Sequence, residues 1–253
     1  MSIAPTRLRP VTQRSIGTTA FFRNRPLFEV LLNRLKELGN TEYSVLFHAC
    51  SIGAEVYSLL IQQHISGYAQ DYSLRIQATD LEQSFIDYAQ AGRYPLEVVK
   101  GMSDEEQRYF ELSDVAEVKA GIRQAVQFLP GSDFTRFESA RKFDVVVLLN
   151  CLIYVPEEAQ RETLERIASY NSKLLVSTAF HRRTIKADLQ PHGYLPILDR
   201  QREIHDAWLD RRNDTPFVPS PGIYADWKLP AFREVEDFEY VYCSLFEKSA
   251  FSG

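Results

Sequence analysis

Side chains that could bind a ligand stand directly after several predicted strands of this sequence. A glycine turn, residues 50–53, follows the first strand, and Asp80 follows the second. Asp133 comes after the third strand, and Asn150 and Cys151 come directly after the fourth. In an open α/β sheet, ligands bind beyond the carboxyl ends of the strands, close to the point where the strand order reverses. These positions are therefore the candidates for a binding site.

The glycine turn and the acid together indicate a ligand that contains adenosine. Gly53 lets a ligand approach the backbone closely, although any tight turn can use a glycine in the same way. The Asp80 carboxylate can accept hydrogen bonds from both hydroxyls of a ribose, or it can cap the helix that begins near Glu82. Because the turn lacks the GxGxxG pattern that cradles a pyrophosphate, S-adenosylmethionine (SAM) fits these residues better than NAD or ATP.

Hydrophobic patterning predicts the elements that position these residues. Short β-branched runs alternate with amphipathic helices, which is typical of a parallel sheet covered by helices on both faces. We predict an α/β fold with a doubly wound, mostly parallel sheet and an antiparallel last strand. The predicted strands are residues 43–50, 74–78, 125–129, 143–149, 172–177 and 239–246, and the predicted helices are residues 25–38, 54–63, 82–91, 156–170 and 202–212.

The alternation breaks in two places. Residues 94–124 are polar and mixed, with a short predicted helix at 103–110, and we interpret them as an insertion. Residues 181–227 are charged and rich in proline, and we interpret them as a lid on the acceptor side, although a solvated helix would also explain them. The basic and aromatic members of this lid are Tyr194, Arg200, Arg202, His205, Trp208, Arg211 and Arg212. The predicted organisation is an arm, residues 1–25, followed by one domain, residues 26–253.

Composition argues against several classes of function. The formal net charge of -5 disfavours a general electrostatic grip on nucleic acid or on an anionic membrane. Cys50, Cys151 and Cys243 are far apart, which fits buried thiols in a reduced, cytoplasmic protein. The five histidines show no ligand spacing, so we expect no metal. No apolar run reaches the length of a signal-peptide core or a membrane span.

Six short blocks stand out in the chain: residues 18–23 (TTAFFR), 49–58 (ACSIGAEVYS), 78–81 (ATDL), 91–94 (AGRY), 108–110 (RYF) and 150–155 (NCLIYV). In this order and at this spacing, they resemble the blocks of the chemotaxis receptor methyltransferases, the CheR family. The resemblance covers roughly residues 18 to 155. It implies a class I, Rossmann-like methyltransferase that uses SAM and releases S-adenosylhomocysteine.

Carried over position by position, the resemblance implies roles for single residues. Thr19 and Arg23 match an arm that faces cofactor and substrate, and Tyr154 matches the tyrosine at the methyl-transfer site. Arg23 and Tyr154 are thus the expected catalytic residues. The simpler alternatives are that Arg23 is a surface arginine and that Tyr154 is a core aromatic. Phe21 and Phe22 are expected to pack rather than to react. The further cofactor-binding positions are Ala49, Gly53, Glu55, Asp80, Asp133, Phe134, Asn150 and Cys151.

The chain departs from the family pattern on the acceptor side. Leu149 replaces an arginine of that pattern, and only about seventeen residues precede the first block, where the family usually carries a basic docking domain. In the glycine loop, Ala54 replaces the first of two acids. We therefore expect a small-molecule acceptor bearing a carboxylate, ahead of a protein glutamate. Other SAM chemistry, such as an intramolecular cyclisation, and a catalytically silent SAM- or S-adenosylhomocysteine-binding module are the alternatives.

Overall fold

A seven-stranded sheet forms the centre of the protein, in a computed structural model that describes residues 19–152, 155–178, 185–204, 206–207 and 243–249. The strands of the described chain are β1 (Glu42–His48), β2 (Ser73–Ala78), β3 (Arg93–Tyr94), β4 (Phe110–Leu112), β5 (Ala116–Val118), β6 (Val126–Phe128), β7 (Phe143–Leu149), β8 (Asn171–Thr178), β9 (Tyr194–Ile197) and β10 (Cys243–Lys248). The large sheet has the order β6-β2-β1-β7-β8-β10-β9. Its first five strands are parallel, and β10 runs antiparallel to both neighbours. The predicted α/β sheet is confirmed.

Helices cover both faces of this sheet. On one face lie α1 (Arg25–Leu38), α2 (Ala54–Ile65) and α3 (Gln83–Ala91), and on the other α6 (Glu157–Tyr170) and α7 (Ile185–Leu189). Two single turns, α4 (Asp104–Gln107) and α5 (Ala120–Arg123), belong to the segment between β3 and β6. The pleat of β7 serves both layers, because Val145 and Val147 pack with the first set of helices while Val146 and Leu148 pack with the second. Within the described residues, no helix has both the length and the apolar character of a membrane span.

The strand order reverses between β1 and β7. From β1 the chain crosses to β2 and then to β6 on one side, and it returns to β7 on the other side of β1. A crevice opens at such a reversal, beyond the carboxyl ends of the two diverging strands. The segments that follow β1, β2 and β7 are therefore brought to one edge.

Helix α1 begins and ends at the signals seen in the sequence. The Asn24 Oδ1 accepts a hydrogen bond from the Leu27 N–H at 3.1 Å, and Pro26 lies in the first turn. Gly39 ends the helix with a φ of 72°, a left-handed conformation that glycine adopts without strain. This fixes where the arm stops and the helical layer starts.

Residues 93–118 contain a second sheet that the sequence patterns did not predict. Its three antiparallel strands have the order β3-β5-β4. The helix predicted at 103–110 shortens to α4, because the capping box of Ser103 and Glu106 starts it but Phe110 already pairs with β5. Arg25 of α1 donates two hydrogen bonds to Glu106, of 2.6 and 2.8 Å, and so ties this small sheet to the helical layer.

The segment after β8 also corrects one prediction. Tyr194, assigned above to the lid, is fully buried in β9, the edge strand of the large sheet. Pro196 obscures this strand in the sequence, since proline lacks an N–H and is tolerated only at sheet edges or bulges. Residues 201–204 are helical, but most of the helix predicted at 202–212 lies outside the described residues. The lid itself stays a prediction.

Candidate active site

The loops that follow β1, β2 and β6 are joined by hydrogen bonds. The Cys50 N–H donates to the Thr79 carbonyl at 3.0 Å, and the Ser132 N–H donates to the Asp80 carbonyl at 2.8 Å. The buried Thr79 hydroxyl lies 3.1 Å from the Pro130 carbonyl and 2.9 Å from the Ser132 hydroxyl. Three of the predicted site segments therefore form one connected unit.

The Asp80 carboxylate lies at the tip of β2 and is held by two backbone donors. Its Oδ2 accepts from the Ser51 N–H at 2.8 Å, and its Oδ1 accepts from the Glu82 N–H at 3.0 Å. A carboxylate has about four acceptor sites, so each oxygen can accept a further hydrogen bond. Burial raises the pKa of this carboxyl, and the two N–H donors lower it in opposition. Since the N-cap of α3 is Glu82, Asp80 is not the cap of that helix.

Several residues of these segments adopt a left-handed backbone although they are not glycine. Ala49, Ser51 and Asn150 have φ angles of 50°, 51° and 55°, and Phe22 in the arm has a φ of 50°. Such conformations cost about 1–3 kcal/mol each and cluster at ligand sites. Within the described chain, the one other such residue is Arg200, in the segment predicted as a lid. Backbone strain therefore marks the same edge of the sheet as the motifs do.

Gly53 closes the turn at the start of α2. Its φ is 80°, and its N–H donates to the Cys50 carbonyl at 2.9 Å. A Cβ at this position would lie 2.9 Å from the Ala89 Cβ of α3, which is closer than real Cβ contacts come. The glycine thus lets α2 begin tightly against α3. Among the residues that the structure describes, no side chain caps α2, so its N-terminal N–H groups can meet an anionic ligand group.

The arm, residues 19–24, docks on α2 through hydrogen bonds of its own. The Thr19 hydroxyl donates to Glu55 Oε2 at 2.8 Å, and the Phe22 N–H donates to the Ser58 hydroxyl at 2.8 Å. Arg23 Nη1 lies 3.9 Å from Glu55 Oε1. The Arg23 side chain is 23% exposed and that of Glu55 is 9% exposed, so the arginine is partly exposed and the glutamate is nearly buried. Thr19, Arg23 and Glu55 are therefore brought together by the fold.

A small cavity, about large enough for one water molecule, lies between the arm and the end of β7. Its walls combine one guanidinium and one carboxylate with amide and apolar groups, from Arg23, Asn24, Leu27, Phe28, Glu55, Leu149 and Asn150. Leu149, which replaces the arginine of the family pattern, contributes an apolar wall here. Wider cavities beside β6 and beside β9 lie away from these residues. Tyr154, the other predicted catalytic residue, lies outside the described residues.

Tyr94 of β3 supports the glycine turn from the small sheet, a contact that sequence reasoning missed. Its hydroxyl donates to the Ile52 carbonyl at 2.6 Å. Its ring packs edge-on against Phe21, with centroids 4.8 Å apart, and Phe21 packs in the same way on Phe110 at 5.2 Å. Phe21 and Phe22 are both buried, as expected of packing residues. The signal for Tyr94 was the block at 91–94, but its partner becomes visible only in the tertiary structure.

The two residues expected near an adenine lie in the loop after β6. Asp133 Oδ1 accepts from the Thr135 N–H and hydroxyl at 2.9 and 2.7 Å, so this oxygen stabilises its own loop. The Phe134 ring lies 6.0 Å from the His48 ring, on the face of the sheet that carries α6. Their loop joins the tip of β2 through Ser132. The adenine-binding role of Asp133 and Phe134 stays a prediction.

Cys50 and Cys151 are both buried and behave as small apolar side chains. Burial raises the pKa of each thiol, and the negative charges of Asp80 and Glu55 raise it further. Neither thiol is therefore an activated nucleophile. Any contact of Cys151 with a ligand depends on its position after β7 rather than on its reactivity.

The fold and the site together define a class of protein. A doubly wound sheet with a glycine turn after β1 and an acid at the tip of β2 is the arrangement of a Rossmann-like protein that binds an adenosine-containing cofactor. The family model described as "CheR methyltransferase, SAM binding domain" matches residues 17–175. The chain therefore belongs to the CheR methyltransferase family, and the resemblance seen in its six blocks is confirmed.

Curated relatives carry the corresponding name. The chain is 35% identical over 170 residues to chemotaxis protein methyltransferase 1 of Pseudomonas aeruginosa, a match that covers 62% of each protein. It is 31% identical over 160 residues to the chemotaxis protein methyltransferase of Listeria innocua, covering 61% of this chain and 60% of the relative. The chain thus spans about three-fifths of the length of these relatives.

Among solved structures, magnesium protoporphyrin IX methyltransferase from Synechocystis with bound SAM is similar. It shares 18% identity and a TM-score of 0.43, over 68% of this chain and 70% of that one. A likeness at this level carries no argument, and the fold assignment rests on the order of the strands.

The relatives overturn one expectation. A small-molecule acceptor was expected because few residues precede the first block, but the curated relatives are chemotaxis protein methyltransferases, and the preference for a small molecule is wrong. The reasoning failed because the position at which the chain begins says nothing about the acceptor that its site takes.

The residues at the strand tips fit SAM, which is the cofactor of this domain, as expected. Ser51 Oγ is buried beside Asp80 with no hydrogen-bond partner among the described residues, a position that a ligand atom can satisfy. Asp80 has acceptor capacity left on both oxygens. The uncapped start of α2 adds backbone donors to the same edge.

Proposed function

We propose that the protein transfers the methyl group of SAM to a side-chain carboxylate of another protein, a glutamate of a chemotaxis receptor. The observation that carries this proposal is Arg23, whose partly exposed guanidinium lines the cavity at the strand tips beside Glu55. A planar guanidinium binds a carboxylate through two parallel hydrogen bonds. The names of the relatives support a protein acceptor.

In this proposal the chain's own residues share the binding of SAM. Asp80 accepts hydrogen bonds from the ribose hydroxyls, at the tip of β2. Glu55 binds the amino group of the amino-acid end, and the start of α2 binds its carboxylate. The loop that carries Asp133 and Phe134 lies against the adenine. The position of Asp80 at the connected strand tips supports its assignment, whereas the roles of Glu55, Asp133 and Phe134 rest on the family resemblance.

The methyl transfer then asks little of the protein beyond alignment. When bound, SAM supplies a methyl group on a positively charged sulfur, which is already activated for transfer to a nucleophile. A glutamate side chain is anionic at neutral pH and needs no general base. Arg23 binds one acceptor carboxylate and orients it, while the surrounding side chains exclude water. On the resemblance alone, Tyr154 matches the tyrosine at the methyl-transfer site.

The test uses tritiated SAM and a purified cytoplasmic fragment of a chemotaxis receptor. A methyl ester releases volatile labelled methanol in alkali, whereas a methyl group on nitrogen or carbon does not. We expect alkali-labile label on the receptor fragment. Arg23→Ala should lower the rate by about 10- to 100-fold, the value of a charge-assisted hydrogen bond, while binding of S-adenosylhomocysteine is largely kept.

Arg75→Ala is the matched control, because this arginine is exposed on β2 and pairs with Glu42. It should keep the rate of the unchanged protein. Label that is stable to alkali would contradict a carboxylate acceptor. Equal losses in the Arg23 and Arg75 variants would contradict the role of Arg23.

A further inference from the structure

Asn24 stands directly after Arg23 and joins two separate parts of the chain. Its Oδ1 accepts from the Leu27 N–H at 3.1 Å, and its Nδ2 donates to the Ile204 carbonyl at 2.8 Å. The residue is 7% exposed, so both hydrogen bonds are shielded from water. Asn24 also lines the cavity that contains Arg23 and Glu55. A change at Asn24 can therefore reach the site directly.

Capping a helix does not by itself require asparagine at this position. Aspartate and serine accept the same N–H hydrogen bond about as well. A carboxylate has no proton to donate, however, and a hydroxyl has only one oxygen for both tasks. The amide of Asn24 carries its acceptor and its donor on different atoms, which matches the two partners found here. Asparagine is therefore suited to make both hydrogen bonds, whereas the cap alone would not require it.

The chain that contains Ile204 is anchored along α1. Ile204 is 3% exposed and packs in the same core cluster as the buried face of α1. Arg200 Nη1 donates to Glu29 Oε2 of α1 at 2.5 Å, and Arg200 also pairs with Glu203. Arg200 adopts a φ of 48°, so its backbone is strained where the segment turns onto α1. Residues 200–204 are thus held against α1.

Arg23 lies between two fixed neighbours. On one side, the Phe22 N–H is bonded to Ser58 of α2. On the other side, Asn24 is bonded to α1 and to Ile204. We infer that Asn24 is a positioning residue, through which residues 200–204 set the orientation of Arg23 toward the acceptor carboxylate. This inference rests on the role of Arg23 proposed above.

Asn24→Asp separates the two contacts of the amide. Aspartate keeps the cap of α1 but loses the donor and places a carboxylate against the Ile204 carbonyl. We expect the kcat of methyl transfer to the receptor fragment to fall about tenfold, as for a lost buried hydrogen bond, with the KM and the S-adenosylhomocysteine Kd little changed. Amide hydrogen exchange should accelerate together in residues 19–24 and 200–204.

A second variant, tested with its own control, loosens residues 200–204 without changing a residue of the arm. Arg200→Gln removes the contact with Glu29, and we expect a smaller loss of kcat together with faster exchange in residues 19–24. Arg75→Gln is the matched control, because Arg75 is 75% exposed on β2 and pairs with Glu42 instead of α1. It should leave both readouts at the values of the unchanged protein. If Asn24→Asp fails to fold, this pair still tests whether residues 200–204 are coupled to the arm.

Two outcomes would overturn the inference. One is an unchanged kcat in Asn24→Asp with only a lower Tm, which would make Asn24 a structural cap. The other is faster exchange in Arg200→Gln that stays within residues 200–204. If the unchanged protein puts no alkali-labile methyl group on the receptor fragment, the proposed function fails, but the exchange measurement still decides whether the segment and the arm are coupled.

Discussion

Asp80 illustrates how burial and hydrogen bonding oppose each other on one side chain. Burial disfavours the charged form of its carboxyl, and the N–H groups of Ser51 and Glu82 favour it. The same two donors fix the direction of both carboxylate oxygens. A ribose would therefore meet acceptors whose positions the fold has already set, which lowers the entropic cost of binding.

Asp80→Asn tests this acceptor. The amide NH2 would face either the Ser51 or the Glu82 N–H, and one acceptor for the ribose would be lost. We expect the Kd for S-adenosylhomocysteine to rise about 10- to 100-fold, measured by isothermal titration calorimetry. Asp87→Asn, on the exposed face of α3, is the control and should keep the Kd. An unchanged Kd in Asp80→Asn would remove Asp80 from the site.

His48 makes stability depend on pH. Its ring is 1% exposed, its Nε2 lies 2.9 Å from the Tyr170 hydroxyl, and burial lowers its pKa to about 3. In the unfolded chain the pKa is about 6.5. As the pH falls below about 6.5, the unfolded chain binds a proton that the folded chain does not. The stabilising contribution is therefore complete above about pH 6.5 and is lost toward about pH 3.

Urea unfolding at about pH 7, 6 and 5 measures this effect. At pH values well below the unfolded pKa of His48, protonation of this residue in the unfolded chain should lower the unfolding free energy by about 1.4 kcal/mol per pH unit. His48→Gln has no such proton, so its unfolding free energy should fall less steeply with acid, whatever its value at pH 7. His64→Gln, a change at an exposed histidine, is the control and should keep the steeper slope. Equal slopes in all three proteins would contradict this account of His48.

At the scale of elements, long patterned segments were predictable, as was the short β6 within the apolar run at 125–129, but the other short strands were not. The bounds of β7 and the start and end of α1 follow from a β-branched run, a proline and a glycine. The strands β3, β4, β5 and β9 have only two to four residues, too few for an alternating pattern to show. Their partners come from tertiary contacts, as the bond from Tyr94 to Ile52 illustrates.

The same division holds within the site. Arg23, Glu55 and Asp80 could be predicted because motif blocks in a fixed order placed them near the strand tips. The contacts of Asn24 and Tyr94 could not, because each partner lies far away in sequence, at positions 204 and 52. Local sequence patterns predict helices and strands, whereas long-range hydrogen bonds depend on how these elements pack together.

Gly53→Ala tests the turn that starts α2. The new Cβ would meet Ala89 at 2.9 Å, and a φ of 80° is strained for alanine. We expect the unfolding free energy to fall by about 1–3 kcal/mol, with weaker binding of S-adenosylhomocysteine. Gly121→Ala is the control, because a Cβ there meets nothing within 4 Å, and it should not destabilise the protein. A Tm equal to that of the unchanged protein in Gly53→Ala would contradict the packing argument.

At the scale of the whole molecule, three layers converge on one edge. The sheet supplies the strand tips, and α2 supplies Glu55 and its uncapped start. The small sheet contacts the turn and Phe21 of the arm through Tyr94. The pair of Arg25 with Glu106 ties it to α1. The arm then brings Arg23 to the cavity. In the proposed function, binding of the cofactor and orientation of the acceptor would thus depend on different layers that share this edge.

A crystal structure of the protein with S-adenosylhomocysteine tests this arrangement most directly. The ribose hydroxyls should lie within hydrogen-bond distance of the Asp80 carboxylate, with the sulfur directed toward the cavity lined by Arg23. A ligand seated elsewhere on the fold, or one whose sulfur points away from the arm, would contradict the account.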